Sequence, residues 1–364
     1  RNHGPRSVVA TPMTGSDGGA AGDWAFVPNL YFAKAINDSF RVGLGINAPF
    51  GLKTEYSDTW VGRYHAIKSE LTTININPSL AFKVNDMVSL GAGVSYQRAE
   101  AELTNAVDFG TICFGTFGPG ACSGLGITPQ ADDGHVKIKG NDWSWGYNLG
   151  AMFQPTSSTR LGLAYRSEIK QELEGHVNFS SVPTAFAASP RFAYGKVKAE
   201  VKLPASASLS AFQQVNEQWE VMADVTWTEW SSFQELRVIR DSGPLSGQTL
   251  SVQPENWHNA IRSSLGASYK YNDALKLRAG VAYDESPVSN SYRTPRIPDS
   301  DRTWLALGAN YKFSTNSSMD VGYTHIFFKD STINQGAVPS STGNLVGDYN
   351  SDVNIFSMQY THNF

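Results

Sequence analysis

Apolar and polar residues alternate with a period of two along most of the chain. Before the turn at Asn85, for example, Ile74, Ile76 and Leu80 are separated by small or polar residues, and a similar alternation follows the turn. This pattern predicts β-strands with one apolar face rather than helices. The predicted strands span residues 23–35, 39–47, 70–84, 87–102, 143–154, 159–171, 197–214, 218–231, 258–271, 274–285, 302–314, 318–329 and 351–364.

The connections between these strands are of two kinds. Short turns rich in Asn, Asp, Ser and Pro lie at residues 37–38, 85–86, 155–158, 216–217, 272–273 and 315–318. Long, irregular connections lie at residues 104–141, 172–196, 232–257, 286–301 and 330–350. Short turns at one end and long loops at the other are typical of a transmembrane β-barrel. The predicted fold class is therefore all-β, an antiparallel transmembrane β-barrel.

The composition agrees with this fold and narrows the choice of partners. Only 17% of the residues are charged and 12% are aromatic. No apolar run approaches the roughly 18 residues of a membrane-spanning helix. The formal net charge of −4 argues against a nucleic-acid partner, which would favour a basic face.

The number of predicted strands, thirteen, is odd, whereas bacterial single-chain barrels have an even number. An unpaired strand edge in lipid is costly. The last segment ends in Phe364, as expected for the terminal strand of an outer-membrane barrel, and residues 1–22 resemble a loop. We therefore expect a remnant over residues 1–22, a barrel over residues 23–364, and natural residues before Arg1 that include most of a first strand.

The strand predicted over residues 39–47 is followed by a stretch that regular strands avoid. The stretch consists of Asn47, Ala48, Pro49, Phe50 and Gly51. Proline lacks the backbone donor of a ladder, and glycine weakens a strand. Either the strand ends here and a loop begins, or the break is internal, because residues 52–56 resume the alternation.

The chain offers few candidates for chemistry. Cys113 and Cys122 lie nine positions apart in a loop rich in Gly and Pro, where they either form a disulfide in an oxidising compartment or remain free thiols. No Gly-x-Ser-x-Gly motif occurs, and the seven His residues do not have the spacing of metal ligands. We therefore expect no enzyme activity, no metal site and no cofactor.

Two of the long connections are unusually apolar for solvated loops. The residues concerned are Ile112, Phe114, Phe117 and Leu125 in the first, and Phe186 and Phe192 in the second. Exposed apolar patches often mark binding surfaces. These side chains therefore either capture a substrate or pack as a local core beneath the loops.

Several blocks of the sequence resemble the FadL-type outer-membrane long-chain fatty-acid transporters. The blocks include "GDWAFVPNLYFAKAINDSFRVGLGINAPFGLKTEY", "LAYRSEIK", "WTEWSSFQEL", "LRAGVAYDESPV", "RTPRIPDSDRTWLALGANYKF" and "VGYTHIF", in one consistent order. The resemblance implies a fourteen-stranded barrel, an N-terminal plug in the lumen, and a third strand that is kinked so that the wall opens sideways. The Asn-Pro-Ala motif of the plug has no match before Trp24, so no residue here is assigned to a plug.

The resemblance also implies a use for the apolar loops and a need for a cation. In the family, the two corresponding loops form the groove that first captures substrate. A fatty-acid carboxylate on an apolar path requires a cation, ideally a guanidinium. Strand phase places four candidates in or near the lumen, where each either binds the carboxylate or pairs with a lumenal acid. These candidates are Arg98, Arg166, Arg262 and Arg278.

The expected function is passive transport of hydrophobic small molecules, above all long-chain fatty acids, across the outer membrane of a Gram-negative bacterium. Apolar extracellular loops would capture the substrate, and a lateral opening at the kinked strand would release it. The alternatives are an uptake channel for aromatic hydrocarbons or other xenobiotics, and a general porin for polar solutes. The expected partners are the substrate, outer-membrane lipid and lipopolysaccharide, around a monomeric barrel.

Overall fold

The computed structural model describes residues 12–336 and 342–364. Residues 1–11, which belong to the expected N-terminal remnant, lie outside the described part of the chain. Two short helices follow one another, α1 (Phe109–Phe117) and α2 (Pro119–Gly124). No helix in the described ranges has the length and apolar character needed to span a membrane.

Strands make up most of the described chain. The first ten segments are β1 (Leu30–Ala35), β2 (Phe40–Asn47), β3 (Gly51–Glu55), β4 (Lys68–Lys83), β5 (Val88–Asp108), β6 (Asp133–Thr156), β7 (Thr159–Arg166), β8 (Ile169–Ser180), β9 (Gly195–Leu203) and β10 (Ser206–Gln214). The next ten are β11 (Trp219–Thr228), β12 (Glu235–Arg240), β13 (Thr249–Pro254), β14 (Ala260–Lys270), β15 (Leu275–Asp284), β16 (Arg302–Lys312), β17 (Ser317–Phe328), β18 (Ser331–Gln335), β19 (Leu345–Tyr349) and β20 (Asp352–His362).

Eighteen of these segments form one antiparallel sheet, and β18 and β19 form a separate hairpin. Seven segments continue the preceding one after a short interruption, as β3 continues β2 and β10 continues β9. The described segments therefore amount to thirteen passes of the chain, which confirms the predicted number. Within the described ranges, β1 pairs only with β2, and β20 pairs only with β17.

The two faces of the sheet are inverted relative to those of a water-soluble protein. On β4, Ile74 and Leu80 are 50% and 48% exposed on the outer face, whereas the inward-facing Thr73 and Asn75 are almost completely buried. Other strands of the sheet expose apolar side chains in the same way. An apolar outer face of this extent indicates a wall that contacts lipid.

Several strands extend further at their outer ends than predicted. The segments predicted over residues 87–102 and 143–154 belong to the longer strands β5 and β6. The additional residues of β6 include outward-facing charges instead of apolar side chains; for example, Lys139 Nζ lies 2.8 Å from Glu100 Oε1 of β5. Apolar alternation stops where the strands leave the lipid, so it could not predict these extensions.

Other predicted boundaries are wrong for local reasons. The segment predicted over residues 23–35 is a strand only from Leu30, because Pro28 has no backbone donor for a ladder. Pro204 separates β9 from β10 within the segment predicted over residues 197–214. Two hairpins, β12–β13 and β18–β19, lie in connections that were expected to be irregular.

A compact core lies at the end of the sheet that carries the long connections. Tyr56, Trp60 and Tyr64, in the connection after β3, are at most 5% exposed, and the rings of Tyr56 and Trp60 stack at 4.2 Å. Residues 12–22 run along this connection, where Ser16 forms a parallel bridge with Trp60. The core also includes Ile333 and Leu345 of the β18–β19 hairpin, so several long connections pack together at this end of the sheet.

Candidate functional site

The second wall strand is interrupted and then resumes. β2 ends at Asn47 and β3 begins at Gly51. Both pair with β4, where their partners are Asn75 and Thr72. Three residues of the broken strand, with Pro49 at their centre, therefore face only two residues of β4. This two-strand mismatch is the geometry of a β-bulge.

A threonine of β4 holds the backbone at the break. The N–H of Phe50 donates to Thr73 Oγ1 at 3.0 Å, and the same hydroxyl donates to Phe50 O at 2.6 Å. Beside it, Asn75 Nδ2 donates to Asn47 Oδ1 at 3.3 Å. Because Pro49 has no N–H, side-chain hydrogen bonds replace the ladder here.

The broken strand also loses its partner on the other side. β1 pairs with β2 as far as Ile46, which lies opposite Leu30. Among the described residues, β3 forms a ladder with β4 alone. Backbone contact across this side returns at Glu55, whose N–H donates to Ala21 O at 3.0 Å. Between Ile46 and Glu55 the wall therefore lacks a ladder on this side.

Aromatic side chains continue inward from the break. The ring centroids of Phe50 and Trp230 lie 5.9 Å apart, edge to face. Trp257 lies 5.0 Å from Trp230 and 4.9 Å from Phe233, also edge to face. Aromatic quadrupoles favour this arrangement. These four residues, which we call the aromatic cluster, connect the broken strand with the interior.

An apolar cavity of about 100 Å³ lies next to the aromatic cluster. Phe233 belongs to both the cluster and the cavity wall, and Leu52 of β3 brings the broken strand to the same wall. Further apolar lining residues are Leu71, Leu103, Ile138, Leu173, Val201 and Leu236. The cavity offers an apolar environment for a segment of an alkyl chain.

Arg296 places a cation at the wall of this cavity. It lies in the connection between β15 and β16, outside the membrane-spanning strands. Its Nη1 donates to Ser69 Oγ at 3.0 Å, and its Nη2 donates to Asn105 Oδ1 at 3.1 Å. Burial lowers the pKa of Arg296 to about 10, so the guanidinium is charged at neutral pH. Its hydrogen-bond acceptors in the described structure are all neutral.

The outer half of the broken strand positions this arginine. Thr54 Oγ1 of β3 donates to Arg296 O at 3.0 Å. Just after β3, the hydroxyl of Tyr56 donates to Pro295 O at 2.7 Å. The same strand that breaks at Pro49 therefore anchors the cationic connection against the cavity.

Glu255 lines the same cavity and is 2% exposed. It directly follows β13, outside the spanning strands, and its Oε2 accepts a hydrogen bond from Trp257 Nε1 at 3.1 Å. Burial raises the pKa of Glu255 to about 8, although the Trp257 hydrogen bond and Arg296 act in the opposite direction. The carboxyl group is therefore mostly protonated at neutral pH.

Two of the arginines predicted from strand phase are held by acidic neighbours. Arg98 Nη2 lies 2.6 Å from Glu100 Oε2, and Arg278 Nη1 lies 2.6 Å from Asp320 Oδ1. Both pairs are partly exposed, and neither arginine lines the cavity. An arginine that already has a carboxylate partner has less to offer a second one.

The other two predicted arginines also lie away from the cavity. Arg262 of β14 lies opposite Asp284 of β15 in the sheet register. Arg166 Nη1 is buried without a hydrogen-bond partner in the described structure. Sequence reasoning missed Arg296 and Glu255, because both lie in connections rather than on alternating strands. The one sequence signal for Arg296 was the proline on each side of the "RI" pair in "TPRIPDS".

Part of the predicted capture surface is a loop core. Phe186 and Phe192 are 6% and 9% exposed, and they pack with Phe109. The Sγ atoms of Cys113 and Cys122 lie 2.05 Å apart in a disulfide that links α1 to α2. Both cysteines are fully buried in the same core. These side chains stabilise the loops rather than present a surface.

The remaining predicted capture residues are more accessible. Phe117 and Leu125 are 53% and 62% exposed. Ile112 and Phe114 are half-buried and pack against the loop core from outside. The loops thus combine an apolar core with an exposed apolar surface. Capture of substrate by the exposed residues stays a prediction.

Comparisons with known proteins decide the family. A profile of the family described as outer membrane protein transport protein (OMPP1/FadL/TodX) matches residues 2–364. The chain belongs to this family. The long-chain fatty acid transport protein of Escherichia coli K12 is 33% identical over 334 residues, which cover 86% of this chain and 73% of that protein. Outer membrane protein P1 of Haemophilus influenzae is 33% identical over 361 residues, covering 93% and 75%.

Solved structures of the OMPP1/FadL/TodX family have the same fold. The crystal structure of a Pseudomonas aeruginosa FadL homologue matches with a TM-score of 0.84 and 31% identity, over 99% of this chain and 83% of that one. The toluene transporter TodX of Pseudomonas putida matches with a TM-score of 0.70 and 22% identity, over 93% and 82%. The protein is an outer-membrane β-barrel of a family that transports hydrophobic compounds, which confirms the predicted fold, family and location.

Proposed function

We propose that this member of the family takes up long-chain fatty acids by passive diffusion and releases them sideways into the membrane at the broken strand. The observation that carries the proposal is the charged guanidinium of Arg296 at the wall of an apolar cavity. A fatty acid has the two matching parts, a carboxylate for the guanidinium and an alkyl chain for the cavity. The names of the Escherichia coli relatives support this substrate class.

The aromatic cluster provides the route from the cavity to the wall. Phe233 lines the cavity, Phe50 lies in the break, and Trp230 and Trp257 contact each other between them. Contact with water is unfavourable for apolar surface, and an alkyl chain that passes along these rings avoids it. Neighbouring backbones are least constrained where the ladder between β1 and β3 is missing. The fatty acid would therefore leave the lumen at this position.

The proposal extends to the surroundings of the barrel. Outer-membrane lipid contacts the exposed apolar face, and lipopolysaccharide surrounds the charged outer strand ends. One chain is the transport unit, and transport needs neither a cofactor nor a catalytic step. A general porin is less compatible with the buried core around Trp60 at the long-loop end of the sheet, because a porin requires a water-filled path.

Transport assays test this proposal directly. In cells that lack other long-chain fatty-acid transporters, expression of the protein should give saturable uptake of radiolabelled palmitate. Liposomes that contain the purified protein should not swell in isotonic sugar solutions. Rapid sugar entry would instead identify a porin. Uptake of toluene without uptake of palmitate would identify an aromatic-hydrocarbon channel.

The exposed and buried loop residues should respond differently to substitution. We expect the double substitution Phe117→Ser and Leu125→Ser to weaken palmitate capture roughly thirtyfold, because each of the two lost apolar contacts contributes about 1 kcal/mol. Phe186→Ser should instead destabilise the loop core by about 3 kcal/mol. Palmitate uptake at several concentrations measures the first effect, and thermal unfolding of the purified protein measures the second.

A matched control for the capture residues is available at the opposite end of the barrel. Val215 is 59% exposed beside a short turn, so Val215→Ser removes exposed apolar surface without touching the loops. This variant should take up palmitate like the native protein. An equal loss in both variants would show that Phe117 and Leu125 have no specific part in capture.

A further inference from the structure

Glu255 and Arg296 carry opposite formal charges at one small cavity and yet do not pair. Both line the cavity, but no ion pair within 4.0 Å joins them in the described ranges. Trp257 Nε1 donates to Glu255 Oε2, while Arg296 donates to Ser69 and Asn105. Each group is thus hydrogen-bonded to neutral partners.

The other ionisable residues of the cavity wall are neutralised by neighbours. The ionisable residues that line it are Glu70, Lys198, Glu255 and Arg296. Lys68 Nζ lies 2.7 Å from Glu70 Oε2, and Lys198 Nζ lies 2.8 Å from Asp241 Oδ1. Glu255 is therefore the one acid at the cavity wall that has no basic partner within ion-pair distance among the described residues, and Arg296 is the cation that faces it.

We propose that Glu255 competes with the substrate carboxylate for Arg296. This inference rests on the proposed function. When Glu255 is protonated, it leaves the guanidinium to the carboxylate of the fatty acid. When Glu255 is ionised, it becomes the internal counter-ion of Arg296, and two carboxylates then face one cation in an apolar cavity. Like charges at such a site disfavour joint ionisation, so the substrate binds only if Glu255 takes up a proton.

The direction of the pH dependence follows from these charges. The pKa of Glu255 lies at about 8 in the free protein, and a bound carboxylate raises it further. Palmitate binding is therefore strongest below that pKa and weakens as the pH rises through it. If only the protonated form binds, affinity falls about tenfold between pH 7 and pH 9. Arg296 keeps its charge over most of this range because its pKa is about 10.

Calorimetric titration of the detergent-solubilised protein with palmitate tests the inference. The native protein should show the tenfold loss of affinity between pH 7 and pH 9. It should also show proton uptake on binding at pH 8.5, measured in two buffers of different ionisation enthalpy. Glu255→Gln keeps an acceptor for Trp257 but cannot ionise, so its affinity should be constant over this range and its binding should take up no proton.

The probe 1-hexadecanol is the matched uncharged control. Its binding should not depend on pH in either protein, because it has no carboxylate to compete with Glu255. Binding of palmitate by the native protein that is independent of pH, or a loss of affinity that persists in Glu255→Gln, would overturn the inference and leave the proposed function intact. Absence of palmitate binding at pH 7 would overturn both. The proton uptake of the native protein decides the question even if the variant does not fold.

Discussion

Straightening the broken wall strand should reduce palmitate uptake by on the order of tenfold or more, while the barrel still folds. Deletion of Pro49 together with Gly51→Thr leaves Ala48 and Phe50 opposite the two residues of β4 between Thr72 and Asn75. All ladder donors are then present, and Phe50 still points inward beside Thr73. The initial rate of palmitate uptake by cells with equal amounts of surface protein measures the effect.

A control variant distinguishes the effect of the backbone N–H that Pro49 lacks from the effect of the extra residue in the bulge. Pro49→Ala restores a backbone N–H but keeps three residues opposite two, so the bulge remains. We expect Pro49→Ala to retain most of the native uptake rate. If the straightened variant transports palmitate at the native rate, fatty acids do not leave through this part of the wall.

Replacing Arg296 with Gln should weaken palmitate binding about tenfold to a hundredfold at pH 7. A hydrogen bond to a charged group contributes about 1.5–3 kcal/mol, which corresponds to this range of affinity. Binding of 1-hexadecanol should change little, because the alcohol presents no negative charge to the guanidinium. Calorimetric titration of both ligands with the native and variant proteins measures the difference between them.

Two further substitutions show whether the position and the charge of this arginine matter. Arg278→Gln removes a guanidinium that pairs with Asp320 away from the cavity, so it should leave palmitate affinity unchanged. Arg296→Lys keeps the charge without the forked geometry and should retain part of the affinity. Equal losses for palmitate and 1-hexadecanol in Arg296→Gln would show that Arg296 only supports the loop.

The wall of the barrel was predictable because its signal is local. On β4, Ile74 and Thr73 point to opposite faces simply because successive side chains of a strand do so. Lipid outside and a polar interior then require the observed alternation. The same reasoning failed for the outer ends of β5 and β6, for example at Lys139, which forms an outward-facing ion pair with Glu100. A strand that leaves the membrane no longer needs an apolar outer face, so its sequence resembles that of a loop.

The candidate site was predictable only in part, for a related reason. Pro49 and Gly51 indicated a break in the strand, because proline fixes φ and lacks a backbone donor, whereas glycine permits a sharp bend. The cation for a carboxylate was sought on the strands, and four arginines there were named. The structure places a cation at the apolar cavity on a long connection instead, at Arg296. No rule of alternation applies to such a connection.

Sequence alone determined the antiparallel barrel, its strand count and the position of the break, because backbone geometry converts each of these into a short-range pattern of residues. Only the tertiary structure decided where the connections fold. Thr54 reaches the carbonyl of Arg296 across 242 positions of the chain, and Glu255 comes to the same cavity from another loop. Whether a loop arginine faces water or an apolar cavity depends on contacts between distant segments. Those contacts exist only once the sheet has folded and brought the segments around a common interior.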